Sequence, residues 1–325
     1  MGGRLLRLKI SAPARLHFGI IDMRGDLGRI HGSAGVSVQT PRLVLEVQQS
    51  SDTNVYGDQS GRVTKLIEII RAAYNIQSSI SVKVIQEIPE HIGFGSGTQL
   101  ALSLGMAFNK IYDLNQSPEQ IAVHLKRGRV SGIGTHGFIK GGFIVDGGHR
   151  VGNPNTVPPL IYRQDFPEDW SFLICVPDIK KGLSGEQEQK AFQQLEPPNA
   201  DTVALASRVV LIQMIPAIIE EDIDLFGSAI TKLDTIFGDY WTEIQGGTYS
   251  HPRIEECVRH LLAIGAYGAG QSSWGPALYG LVKGENQAKR LLQSMKKFLN
   301  DGENTGKAYL SHADNRGAYI TEMGA

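Results

Sequence analysis

The feature that most constrains this chain is the run Pro89-Glu90-His91-Ile92-Gly93-Phe94-Gly95-Ser96-Gly97-Thr98-Gln99. An alternating segment, 80–85, precedes it, with Ile80, Val82 and Val84 on one face. An apolar stretch over 98–112 follows it. The order reads strand, glycine-rich turn, helix. Glycines let backbone N–H groups come close to an anion, and the helix N-terminus adds partial positive charge. Ser96 and Thr98 offer hydroxyl donors, so Gly93, Gly95, Ser96, Gly97 and Thr98 read as a phosphate cradle. It is not a Walker loop, because no Gly-Lys-Ser/Thr closes it. A turn chosen only for tight strand–helix packing is the other reading of the same glycines.

Glycine is abundant, 38 of 325 residues, against about 7% in ordinary proteins. The excess falls in three places, 89–97, 132–148 and 265–280. The 32 Lys and Arg balance 33 Asp and Glu, which gives no electrostatic footprint for nucleic acid or a membrane surface. The composition is that of a globular chain long enough for sizeable cores. Cys175 and Cys257 sit in apolar stretches and read as buried thiols in a reducing compartment; neither belongs to a Cys-x-x-Cys pair. The first ten residues hold basic groups but no apolar core, so no secretory signal is expected. The longest apolar run, 209–219, is interrupted by Gln213 and Pro216 and is too short for a bilayer span. A cytoplasmic protein is expected.

Strand-like alternation marks 4–10 and 42–47, the latter with Leu43, Leu45 and Val47 together. Residues 63–74 change to helical spacing, with Leu66, Ile69, Ile70 and Ala73 as the stripe. Ser117-Pro118-Glu119-Gln120 starts another helix, with an N-cap serine, proline at the first position and glutamine three residues past the cap. The prolines at 154, 158, 159 and 167 mark a boundary, which divides the chain into 1–165 and 166–325. The second half opens on a buried strand, 170–176. Helices are expected at 186–195, 201–219, 223–236, 252–264 and 286–299. Strands and helices without regular alternation make the class α+β.

Three segments in order resemble the motifs of the GHMP kinases. They are Ser11-Ala12-Pro13-Ala14-Arg15-Leu16-His17-Phe18-Gly19, the 89–99 run, and Gly265-Ala266-Tyr267-Gly268-Ala269-Gly270-Gln271-Ser272-Ser273-Trp274-Gly275-Pro276. The resemblance implies a two-domain fold. Its N-terminal α/β domain is akin to ribosomal-protein-like domains, and its C-terminal α+β domain is ferredoxin-like. Two positions depart from the kinase pattern. Gly97 stands where the kinases carry a serine that ligates Mg²⁺. Gly134, in Ser131-Gly132-Ile133-Gly134, stands where they carry a catalytic aspartate. A glycine cannot accept a proton from a substrate hydroxyl.

One branch of the superfamily shares these departures, and the three runs resemble the β-ribofuranosylaminobenzene 5′-phosphate synthases of methanopterin biosynthesis. That resemblance implies condensation of 5-phosphoribosyl 1-diphosphate (PRPP) with 4-aminobenzoate or 4-hydroxybenzoate, releasing CO₂ and diphosphate. It also implies Mg²⁺ as cofactor and a homodimer. By the same resemblance Gly268, Gly270, Gln271, Ser272 and Ser273 join the cradle as phosphate-binding residues. An ATP-dependent small-molecule kinase and a non-catalytic relative are the alternatives.

Arg15 and His17 alternate along the first motif and are read as catalytic, facing the site. His136, beside the vacated aspartate position, is the third catalytic candidate, with a plain loop histidine as the other reading. His91 either contacts phosphate or caps a turn. Trp274 is expected to pack the core, and so are Phe237, Tyr240 and Trp241, with a dimer surface as the alternative for those three. Arg24 and Arg29 are read as solvated. Asp22, Asp26 and Glu90 are the acidic candidates near the motifs, but no metal ligand is assigned, since metals on PRPP are held largely by phosphate oxygens and water.

Overall fold

A computed structural model describes residues 6–58, 61–179 and 195–324. Two sheets organise it. The first contains β1 (Arg7–Asp22), β2 (Arg29–Ser50), β3 (Asn54–Tyr56), β4 (Ser79–Gln86) and β12 (Tyr319–Glu322), in the order β12-β1-β2-β4-β3. β5 (Phe143–Asp146), β6 (His149–Arg150) and β7 (Leu160–Gln164) extend it beside β2. The second sheet has β8 (Trp170–Pro177), β9 (Gly268–Gln271), β10 (Leu278–Lys283) and β11 (Gly306–His312), in the order β11-β8-β10-β9. All its pairs are antiparallel. With helices between β8 and β9 and between β10 and β11, this is the ferredoxin-like βαββαβ arrangement.

β1 and β2 form a long hairpin, far longer than the strands expected at 4–10 and 42–47. Its inner residues are buried on both faces, from Ile10 through Ile20 with few gaps. Alternation is lost where helices cover one face and the second sheet's helices the other. One core unites both halves: Phe18 packs on Phe143, Phe172, Phe226 and Tyr279. The division at 165/166 falls between β7 and β8, but β12 crosses back, so 319–322 belong to the first sheet.

The helices of the first half are α1 (Arg62–Tyr74), α2 (Ser96–Ile111), α3 (Pro118–His124) and α4 (Ile133–Lys140). The capping box at Ser117 and Gln120 is present. In α1 the buried stripe is Val63, Leu66, Ile67 and Ile70, not the one through Ile69 and Ala73; Ile69 is exposed. In the second half, Ala200–Ile219 forms one continuous helix, α5, with a π-helical stretch at Val209–Met214. This corrects the expectation of a run too short for a bilayer. At 20 residues and mean hydropathy 1.9 it meets that measure by length and composition. It packs, however, against β1 and the next helix, α6 (Ile223–Tyr240). Pro216 lies inside this helix, just past the π-helical stretch. α7 (Thr242–Gln245), α8 (Pro252–Ala263) and α9 (Glu285–Leu299) complete the fold. The helix expected at 186–195 lies, apart from Leu195, outside the described residues. Cys175 and Cys257 are buried free thiols; burial pushes both upward, Cys257 to about 11.

Candidate active site

The 89–98 run leaves β4 and enters α2 through Gly95, whose φ of 72° is left-handed. No side chain caps this helix. The first amides of α2, at Ser96 and Gly97, are therefore left for a ligand or solvent. The loop is gripped from both sides. The Arg15 N–H donates to the Phe94 carbonyl at 3.1 Å, and the Ala277 N–H donates to Ile92 at 3.0 Å. The Arg15 guanidinium also donates to the Gly93 carbonyl. The result is an open cleft of about 360 Å³. Cradle residues 93–98 form its floor, Arg15, Arg62, His91 and Arg127 stand around it, and Ser273, Trp274 and Gly275 close one side.

His17 lies deeper on the same strand and is almost wholly buried. Its Nδ1 has no hydrogen-bond partner among the described residues. Burial, and then the Arg15 charge, hold this imidazole well below its ordinary value, so it is neutral at physiological pH. Gly134 lies against the cradle. A Cβ on Gly134 would stand 3.2 Å from the Thr98 methyl, and Gln99 donates to the Gly134 carbonyl at 2.8 Å. A side chain at 134 would therefore point at the cradle. As glycine it contributes none.

Several expected site residues are placed elsewhere. The Ser272 hydroxyl is fully buried; it donates to the Gly93 carbonyl at 2.7 Å and accepts the His17 N–H at 3.0 Å. It ties the first and third motifs to the cradle and has no donor left for phosphate. Gln271 spends its amide on Ser250 and on the Ser273 carbonyl. Gly268 and Gly270 lie in the buried strand β9 against α6. A Cβ at 268 would stand 2.1 Å from the Gly227 carbonyl oxygen, and one at 270 would stand 2.6 Å from the Asp234 carboxyl carbon. They serve helix–strand packing. His136 does not line the cleft: its Nε2 pairs with the Pro158 carbonyl at 2.7 Å. Of the third motif's expected binders, only Ser273 reaches the cleft. Trp274 is buried in edge contact with Trp241, as core packing requires.

The acidic candidates are similarly occupied. Asp22 accepts the amides of Arg24 and Gly25, and Asp26 pairs with Arg24. Glu90 pairs with Arg62 at 2.8 Å. Among the described residues no three His, Cys, Asp or Glu side chains are grouped as metal ligands. Sequence reasoning missed Arg62 and Arg127. Neither belongs to a motif, and only the fold brings α1 and the turn after α3 to the same cleft.

Residues 62–141 match the GHMP kinases N terminal domain, and residues 214–301 match the GHMP kinases C terminal model. The chain is 32% identical to the β-ribofuranosylphenol 5′-phosphate synthase of Methanothermobacter thermautotrophicus, covering 97% of this chain and 99% of that one. It belongs to that family. The Archaeoglobus fulgidus member is 29% identical, over 96% and 99% of the two chains. Among solved structures, homoserine kinase from Cytophaga hutchinsonii superposes with a TM-score of 0.69 at 15% identity, covering 97% of each chain. Mevalonate diphosphate decarboxylase from Enterococcus faecalis gives 0.67 at 14%, covering 98% of this chain and 100% of the other. These two establish the GHMP fold and nothing about the reaction.

Proposed function

We propose that this member of the family transfers the phosphoribosyl group of PRPP to the ring carbon of 4-hydroxybenzoate, or of 4-aminobenzoate, that bears the carboxylate. The bond from the anomeric carbon to diphosphate breaks as the new carbon–carbon bond forms. The carboxylate then leaves as CO₂, and its bonding pair restores the aromatic ring. With 4-hydroxybenzoate the product is a β-ribofuranosylphenol 5′-phosphate, the compound in the relatives' names.

One observation carries this reading. The cleft offers amides, hydroxyls and guanidiniums to a phosphate chain, while Gly134 leaves no carboxylate facing Thr98. Such a site stabilises a leaving diphosphate and the oxocarbenium-like carbon behind it. It supplies no base for a substrate hydroxyl, as a phosphoryl transfer would require. The ring attacks because its para oxygen or nitrogen donates electrons. In this reading Gly93, Gly95, Ser96, Gly97, Thr98 and Ser273 hold diphosphate, and Arg15 positions the anion at the strand edge. Mg²⁺ belongs to the same proposal as an ion carried on phosphate oxygens, where it would offset their charge. A homodimer is also proposed, supported by the exposed Leu211, Ile212 and Ile219 on α5.

The test is incubation with PRPP, Mg²⁺ and carboxyl-labelled 4-hydroxybenzoate. Labelled CO₂ should appear only when PRPP is present. Benzoate and 4-nitrobenzoate, which lack the donor, should turn over more than about 10⁴-fold more slowly, equivalent to over ~5.5 kcal/mol of lost stabilisation. Comparable turnover of benzoate would overturn the mechanism. Stoichiometric ADP formation from ATP with homoserine or mevalonate would overturn the reaction class.

A further inference from the structure

Arg62 and Arg127 converge on one point. A Cβ on Gly97 would stand 3.3 Å from Arg127 Nη1 and 3.9 Å from Arg62 Nη2. Gly97 is the second residue of α2, so this point lies over the helix N-terminus and its open amides. Arg62 begins α1, and Arg127 follows α3 in a turn closed by its own N–H on the Ala122 carbonyl. Two separate elements thus aim like charges at the same place.

That arrangement is costly without an anion. Arg62 has Glu90 as counter-charge at 2.8 Å. Arg127 has no carboxylate within ion-pair range among the described residues, and its Nε is buried with no hydrogen-bond partner there. Burial, and then the Arg62 charge, lower its pKa. Partly buried guanidiniums without counter-ions are destabilising, and a bidentate phosphate relieves both faults. The absence of a side chain at position 97 is what lets Arg127 reach this far.

We infer that Arg62 and Arg127 form a guanidinium clamp for the diphosphate group, admitted by Gly97 and seated on the N-terminus of α2. The inference rests on the proposed reaction for its ligand, the diphosphate of PRPP. It goes beyond that reading by assigning two residues outside the motifs and a reason for the glycine. Arginine charge stands there in fixed geometry. The clamp therefore discriminates for a diphosphate before any aromatic acceptor is bound.

The test is titration calorimetry of the full chain with inorganic diphosphate, PRPP and ADP as separate probes, alongside steady-state kinetics. Arg127→Gln should weaken inorganic diphosphate by at least about 30-fold, and Arg62→Gln by roughly 5-fold, since Glu90 already shares its charge. Arg127→Lys should recover part of the loss. KM for PRPP should rise in parallel, with KM for 4-hydroxybenzoate within about 3-fold. Gly97→Gln keeps both arginines but fills their space, and should also weaken diphosphate about 10-fold; it guards against misfolding of the arginine variants. Unchanged diphosphate affinity in folded Arg127→Gln overturns the clamp. ADP binding as tightly as PRPP, and equally sensitive to Arg127→Gln, overturns its assignment to PRPP. Absence of CO₂ release in the wild type would reject the proposed reaction. The diphosphate titration would still decide the clamp.

Discussion

Segments 89–98 and 265–276 carry the same kind of sequence, glycines interleaved with serine and ending in a small-residue turn, and they touch in the folded molecule. In the first, Gly95 bends the chain into α2, and the glycines leave backbone facing an open cleft ringed by arginines. In the second, Gly268 and Gly270 are pressed against the backbone of α6 and the buried Asp234. Its polar side chains bond inward, Ser272 to the cradle and Gln271 to Ser250. Glycine permits close approach in both cases. In the second a helix approaches, while in the first the backbone is left facing an open cleft, and the sequence of the segment alone does not say which.

The sharpest way to break this contrast is Gly268→Val. With a carbonyl oxygen 2.1 Å from the new Cβ, the strand cannot stay on the helix, and a loss of more than ~4 kcal/mol is expected by urea unfolding. A folded variant with altered PRPP kinetics would instead make the third segment a second cradle.

A smaller effect concerns charge. Burial pushes the Asp234 carboxyl well above its ordinary value, so the folded state holds this proton more tightly than the unfolded chain. Its stabilising contribution is complete below the ordinary carboxylate range and is lost as pH rises through the folded value. Asp234→Asn should therefore gain stability relative to wild type as pH rises above about 4, by up to ~1.4 kcal/mol per pH unit until the folded carboxyl ionises. Urea midpoints across that range measure it. A constant difference would mean that the carboxyl meets water, and that this region is as open as the cradle.

The finest distinction lies between adjacent serines. Ser272→Ala should cost about 1–2 kcal/mol, because the His17 amide loses a buried acceptor. Ser273→Ala, at the cleft wall, should leave stability within ~0.5 kcal/mol and raise KM for PRPP a few-fold. The reverse pattern would exchange their roles.

Local chemistry was legible wherever one segment contained the whole signal. The Ser117 capping box, the inward Leu43, Leu45 and Val47 of β2, and the cradle between β4 and α2 all follow from neighbouring residues. The hairpin β1–β2 was legible only in part, because strands covered on both faces do not alternate. α1 was read with the wrong stripe because Ile69 has the spacing of a core residue but stands in solvent. At the site, Arg15 and the vacated position 134 were found through motifs. Arg62 and Arg127 were not, since their meeting over Gly97 depends on how two distant elements pack. His136 read as functional because its neighbours were. Its ring has instead turned toward Pro158.

The pairing of β12 with β1 carries a consequence for biosynthesis. Leu8 lies opposite Glu322, and Ile10 opposite Ile320. A ribosome delivers the first of these partners long before the second. Until the last strand emerges, one edge of β1 remains an unpaired template, able to recruit strands from other nascent chains. Removing residues 319–322 would make that interval permanent, so their loss should appear first as aggregation during expression.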